Sequence, residues 1–191
     1  MLSLAPDARR GLPVAVDLAI DDGRAAVTDG RLSYDMFYND VAEGWSWQPQ
    51  AQPEDADYYR WKFLPLQSLT EAGKPYVQEE MVGVPQETRV ERRHDYFLAF
   101  DNPYRFYPRG AAGFVVPLPP EAAGAPLRLV ALARLGEPAT AESTTFWKAV
   151  HARPVDFTLK KYYLIGALEA LVVCDARDGR ELARLLPRAQ R

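Results

Sequence analysis

The chain has 191 residues, 48% of them hydrophobic and 26% charged, with 23 basic and 26 acidic side chains and a formal net charge of -3. A chain of this size and balance buries a core without disulfides or metals, and its mild acidity argues against nucleic acid as the main partner, which would select a basic surface. The single cysteine, Cys174, rules out an intrachain disulfide.

No run of about 18 apolar residues occurs, so no membrane-spanning helix and no membrane insertion are expected. The opening stretch MLSLAPDARRG lacks the apolar core of a secretion signal. The reading is therefore cytoplasmic as the sequence stands, and periplasmic or secreted if a signal was trimmed. Proline is frequent at 16 residues, and aromatics reach 12% with 10 Tyr, 8 Phe and 4 Trp. Proline breaks long helices, while aromatic and β-branched residues favour strands.

The first element is LPVAVDLAI, where Leu12, Val14, Val16, Leu18 and Ile20 alternate with Ala15, Asp17 and Ala19. A period of two marks a half-buried strand. Asp-Gly pairs at 22–23 and 29–30 are turn signals, so 12–38 reads as a small meander of strands. Asp-Gly-Arg recurs at 22–24, 29–31 and 178–180. Each copy reads as a tight turn with a solvated arginine at its exit rather than as a ligand loop. Residues 39–57 have no period and read as a loop or linker within a single β-rich domain spanning 1–191.

YYRWKFLPL reads as a strand ended by proline, SLTEAGK as one short helical turn, and PYVQEEMVGV as a strand. In TRVERRHDYFLAFD, Val90, Arg92, His94, Tyr96, Leu98 and Phe100 share one face, and Arg89, Glu91, Arg93 and Asp95 share the other. This strand should run from a wet end near 88 to a buried end near 100. The mixed charges of its second face suit solvent or a charged neighbouring strand. DNPYRFYPRG is an aromatic loop, and GFVVPLPP a short strand. PLRLVALARL alternates, though it also tolerates a helix, and TAESTTFWKAVHA leans to a strand through Thr144 and Thr145. VDFTLKKYYLIGALEALVVCDARDGRELARLL reads as a long strand, a turn and a returning strand. A bulge or bend near Lys160–Lys161 or at Gly166 is expected, with a helix over 162–171 as the competitor.

No motif fixes a reaction. Asp95 cannot orient His94 as a general base, because strand neighbours point to opposite faces. Neither His94 nor His151 has a second ligand at metal spacing, so no metal and no cofactor are expected. Cys174 lies in an apolar run and reads as a small core residue. G-x-S-x-G, G-x-G-x-x-G and Walker patterns are absent, and the adjacent carboxylate pairs face apart. What remains is aromatic. Trp45, Trp47, Tyr58, Tyr59 and Trp61 cluster around the 39–57 loop, and Tyr104, Arg105, Tyr107 and Arg109 cluster in the 101–110 loop. Arginine among aromatics is a typical interface composition.

The sequence therefore points to a mainly β fold, an antiparallel sandwich or curled sheet with one or two short helices. The preferred function is a non-catalytic interaction or assembly protein using these loops to hold a protein partner. A carbohydrate or small-ligand binding module is the alternative, and a hydrolase centred on His94 or His151 the third reading.

Overall fold

The computed structural model describes residues 11–18, 20, 25–35, 62–79, 85–108, 111 and 113–189. Ten strands run in chain order: β1 (Pro13–Asp17), β2 (Ala25–Thr28), β3 (Arg31–Asp35), β4 (Lys62–Ala72), β5 (Tyr76–Glu79), β6 (Pro85–Phe100), β7 (Gly113–Pro117), β8 (Leu127–Trp147), β9 (Val155–Asp175) and β10 (Glu181–Leu185). They form a seven-stranded sheet ordered β1-β8-β9-β6-β4, with β10 beside β9 and β5 beside β6, and a three-stranded sheet ordered β2-β3-β7. The helical content among the described residues is two short 3-10 turns, Pro103–Arg105 and Pro120–Ala122.

The large sheet is organised around β9. This strand is flanked by β8 along most of its length, by β6 over its first half and by β10 over its last turn. A strand paired on both sides and covered on both faces should be apolar without alternation. Residues 170–175 meet that condition and are all buried, whereas 162–169 keep an alternation, with Ala167 and Glu169 exposed. The helix competitor over 162–171 fails here: tertiary pairing overrides the helix preference of its Ala, Leu and Glu residues.

Two irregularities bend the β8–β9 ribbon. Leu135 pairs with Gly166 and Thr140 with Leu164, so four residues of β8 oppose one of β9. On β9, Leu168 pairs with Ala133 and Ala170 with Leu132, which leaves Glu169 as an extra residue. The expected bend at Gly166 is present, and Lys160–Lys161 lie in regular register. A Cβ at Gly166 would collide with the carbonyl oxygen of Arg134 and sit 3.2 Å from Leu135 Cα. Glycine is needed there because two backbones approach too closely for a side chain.

The small sheet covers one end of one face of the large sheet. Leu32, Tyr34, Phe114 and Val116 from the small sheet meet Leu64, Leu98, Phe100, Leu129, Ala131, Leu171 and Val173 in the principal core. Phe114 sits at its centre, edge-on to Tyr107 at 5.2 Å and to Phe106 at 6.0 Å. The opposite face of the large sheet carries Phe63, Phe97, Ala99, Tyr163 and Ile165, and farther along Ala170, Val172 and Cys174.

The mainly β expectation holds, with three local corrections. The sheet is mixed, because β6 and β9 run parallel from Arg89–Val155 to Phe100–Gly166. That pairing is long-range, with β7 and β8 intervening, and hairpin signals carry no information about it. SLTEAGK is not a helical turn: Ser68–Ala72 belong to β4, which passes through Pro65 by shifting register at Leu66. The meander over 12–38 is divided, since β1 joins β8 while β2 and β3 join β7. The 39–57 loop lies outside the described residues. The Asp29–Gly30 turn has positive φ at both residues, +49° and +68°, and Gly179 after β9 has +76°, as tight turns require.

Gly166→Ala should destabilise the fold by about 1–3 kcal/mol through overpacking, whereas Gly136→Ala, whose added Cβ would meet nothing closer than 3.7 Å, should cost less. Chemical denaturation of the two variants checks this. Asp175 closes β9 and accepts the Arg177 backbone N–H at 2.9 Å and its guanidinium Nη2 at 2.6 Å. These bonds hold its carboxyl down at about 2. A depressed carboxylate stabilises the fold above its unfolded-state value near 4 and loses that contribution as the pH falls towards 2. Asp175→Asn should therefore lower Tm at pH 7 and show a shallower loss of Tm than the parent between pH 4 and 2.

Candidate functional site

Register assigns the side chains of the large sheet to two faces, since paired residues point the same way. On the face that the small sheet partly covers, the row Leu64, Leu98, Leu164, Thr140 crosses β4, β6, β9 and β8. The next rows are Gln67, Tyr96, Tyr162, Glu142 and then Leu69, His94, Lys160, Thr144. Leu64 and Leu98 are buried in the principal core, while Gln67, Leu69, Glu142 and Thr144 are exposed. The core therefore gives way to an open face between the first row and the second.

A cavity of about 490 Å³ lies at this boundary. Leu66, Leu164, Tyr96, Tyr162, Thr140 and Glu142 line it, with Phe97, Ala141 and Tyr163 contributing from the strands that form its floor. Tyr96 and Tyr162 are register partners on parallel strands, and their rings stack at 4.9 Å with 15° between planes. Stacking follows from that pairing: in-register aromatics on neighbouring strands are held at about the interstrand spacing. Among the described residues Glu142 is the one charged side chain in the lining, and it has no hydrogen bond or ion pair with any of them.

His94 adjoins this cavity. Its ring is parallel to that of Tyr162, 5° apart in plane and 6.0 Å between centres, and Nδ1 lies 3.4 Å from the Tyr162 hydroxyl. Its Nε2 is buried without a hydrogen-bond partner and stands 3.9 Å from Glu71 Oε2. Asp95 is on the other face, as strand alternation requires. The partners of His94 thus come from β9 and β4. Neither group is a serine or cysteine nucleophile, and a hydroxyl at 3.4 Å is a loose contact.

The opposite face carries a polar row between the Tyr96–Tyr162 row and the His94–Lys160 row: Ser68, Asp95, Lys161 and Ser143 across β4, β6, β9 and β8. Asp95, Lys161 and Ser143 are 3%, 2% and 8% exposed. Asp95 accepts from Ser68 Oγ at 2.6 Å and Arg93 Nε at 2.8 Å. Asp95 is therefore not on a wet side. Its face meets a charged neighbouring strand, and burying two opposite charges in adjacent register positions lets each reduce the desolvation cost of the other.

The remaining sequence candidates are dispersed. Tyr107 is buried at 4% exposure against Phe114, so its ring belongs to the core. Arg105 is half-buried, and its carbonyl accepts the Arg188 N–H at 2.6 Å. Tyr104 is exposed and lies edge-on to Tyr107 at 6.2 Å. Trp45, Trp47, Tyr58, Tyr59, Trp61 and Arg109 lie outside the described residues. His151 occupies the exposed turn after β8, where its carbonyl accepts from Gln86. Cys174 is buried among Ala170 and Val172, and burial raises its thiol pKa, so it is not an activated nucleophile. No cluster of three or more metal-ligating side chains occurs among the described residues. No family model, no curated protein and no solved structure matches this chain.

Of the cavity residues, sequence reading placed Tyr96 on the His94 face and missed Tyr162, Leu66, Thr140 and Glu142. The parallel pairing that brings β9 beside β6 was the missing information.

Asp95→Ala should destabilise the protein by roughly 3 kcal/mol or more, because Lys161 then loses the opposite charge beside it in a buried row. Ser68→Ala should cost only about 1 kcal/mol. Urea denaturation midpoints of both variants check the ordering.

Proposed function

We propose that this protein is a non-catalytic small-ligand-binding module whose site is the cavity over Tyr96 and Tyr162. The cavity itself carries the reading. Its volume of about 490 Å³ falls within the roughly 300–1,000 Å³ of small-molecule sites, and it has the apolar, aromatic walls with few polar groups that such sites use. It stands where a core ends, so its floor is rigid: Leu164 and Tyr163 belong to the central strand, and Phe97 to its parallel neighbour. A preformed floor reduces the ordering cost of binding.

Thr140→Trp should fill the cavity from the β8 side and abolish binding without unfolding the protein, since Thr140 is exposed. A fragment screen by amide chemical shifts on the isotope-labelled protein checks this. Fragments should perturb Leu66, Tyr96, Thr140, Tyr162 and Leu164 in the parent and leave the Thr140→Trp variant unmoved. A screen in which no fragment perturbs these amides refutes the reading.

A protein-partner role draws support from a different surface. At the tip of the β8–β9 hairpin, Phe146 and Val150 are 57% and 60% exposed and Trp147 is 38% exposed. Large apolar side chains exposed together favour association. On this reading, affinity purification should recover a partner in fixed ratio with the parent and lose it with Phe146→Ser/Trp147→Ser.

A further inference from the structure

We infer that the cavity takes an organic ammonium ion, a protonated amine carried on an apolar or aromatic body, with Glu142 as its counter-charge; this rests on the ligand-binding reading of the same cavity. Three observations converge. The first is the charge census of the lining: Leu66, Leu164, Thr140, Tyr96 and Tyr162 are uncharged, and Glu142 supplies a single negative charge. The second is that Glu142 is unspent. Among the described residues no basic side chain pairs with it, whereas Asp17, Asp95, Glu169, Asp175 and Glu181 each have an arginine partner. The third is the aromatic pair. Glu142 is the register partner of Tyr162, which is the register partner of Tyr96, so carboxylate and two phenols lie side by side in one row across three strands. Ring faces and carboxylates attract the same kind of ligand, since the π quadrupole presents negative charge to a cation.

The basic groups on this face lie farther off. Lys160 is one row beyond Tyr162, on the side away from Leu164 and Thr140, and Arg92 is one row beyond His94. None of Lys160, Arg92 and His94 lines the cavity. Among the described residues, a ligand charge held within the lining meets Glu142 and no basic side chain. Access also favours the carboxylate. Beyond residue 135, β8 pairs only with β9 among the described residues, so Glu142 stands on an edge strand at the cavity rim. An amine entering from that side meets the carboxylate first and then the aromatic and aliphatic floor.

The test uses three probes of one shape and three charges: 2-phenylethylamine, protonated at pH 7, neutral 2-phenylethanol and anionic phenylacetate. Each is titrated into the labelled full chain, and shifts are followed at Leu66, Tyr96, Thr140, Tyr162 and Leu164. The amine should bind at least about tenfold more tightly than the alcohol, and phenylacetate more weakly than either, the preference of a desolvated cation site. Glu142→Gln should erase the difference between amine and alcohol, because the substitution removes the charge at the rim without changing the aromatic and aliphatic floor. Tyr96→Leu should weaken the amine more than the alcohol. Equal binding of amine and alcohol in the parent, or tighter binding of phenylacetate, overturns the cation assignment and leaves the cavity as a binding site. Absence of shifts with all three probes overturns the cavity reading and the assignment with it.

Discussion

Residues 155–175 form the central strand of the large sheet, and its backbone groups must find hydrogen-bond partners, because an unpaired group shielded from water would forfeit its hydrogen bond. Its two edges therefore need partners, and where no described strand lies on the side of Leu168 away from β8 the side chain of Asn102 bonds both its backbone N–H and its carbonyl. β8 supplies one side. The other is shared between β6, parallel over the first half, and β10, antiparallel over the last turn. The two ends of β9 thus acquire different neighbours, and the sheet acquires two regions. The bend at Gly166 and the bulges at 136–139 and Glu169 lie where one region gives way to the other.

That division sets what each surface can do. The region containing the C-terminal half of β9 is covered by the small sheet and becomes core. In the N-terminal half the same face is left to Tyr96, Tyr162, His94 and Lys160, with threonines and Glu142 along the outer strand. A cavity at the transition is the geometric result of a small sheet of three short strands covering part of a sheet built on two strands of 21 residues. The opposite face solves a different problem. There Asp95 and Lys161 are buried as register partners, so the parallel pairing of β6 and β9 carries an electrostatic condition: a one-residue slip of β6 would turn Asp95 to the opposite face and take its charge away from the buried Lys161. Such a row fixes register more firmly than it adds net stability.

Among the described residues β8 beyond residue 135 has no partner on its outer edge, and this edge and the exposed tip at 146–150 belong to the same asymmetry. Edge strands invite pairing with other chains unless they are twisted, short or charged. Here Glu142 and Lys148 flank the exposed Phe146 and Trp147, charges that discourage indiscriminate pairing along the strand while leaving the tip available.

The sequence by itself determined the elements that local chemistry controls. Alternation in PVAVD and RVERRHDYFLAF made strands and assigned His94 and Asp95 to opposite faces. The Asp29–Gly30 pair made a turn, and the apolar run 162–174, interrupted at Glu169, read as part of a long strand with a helix over 162–171 as competitor. Proline at 65 and the helix-compatible SLTEAGK misdirected the reading, because a register shift at Leu66 absorbs the proline and strand pairing outweighs local preference. Tertiary structure alone decided which strands became neighbours. The parallel alignment of β6 with β9 joins residues some 66 apart in sequence, as with Tyr96 and Tyr162, and no local signal encodes a partner that distant. Tyr162 and Glu142 therefore carried no mark of a site in the sequence. They became one when the sheet placed them in a row with Tyr96 at the place where the core ends.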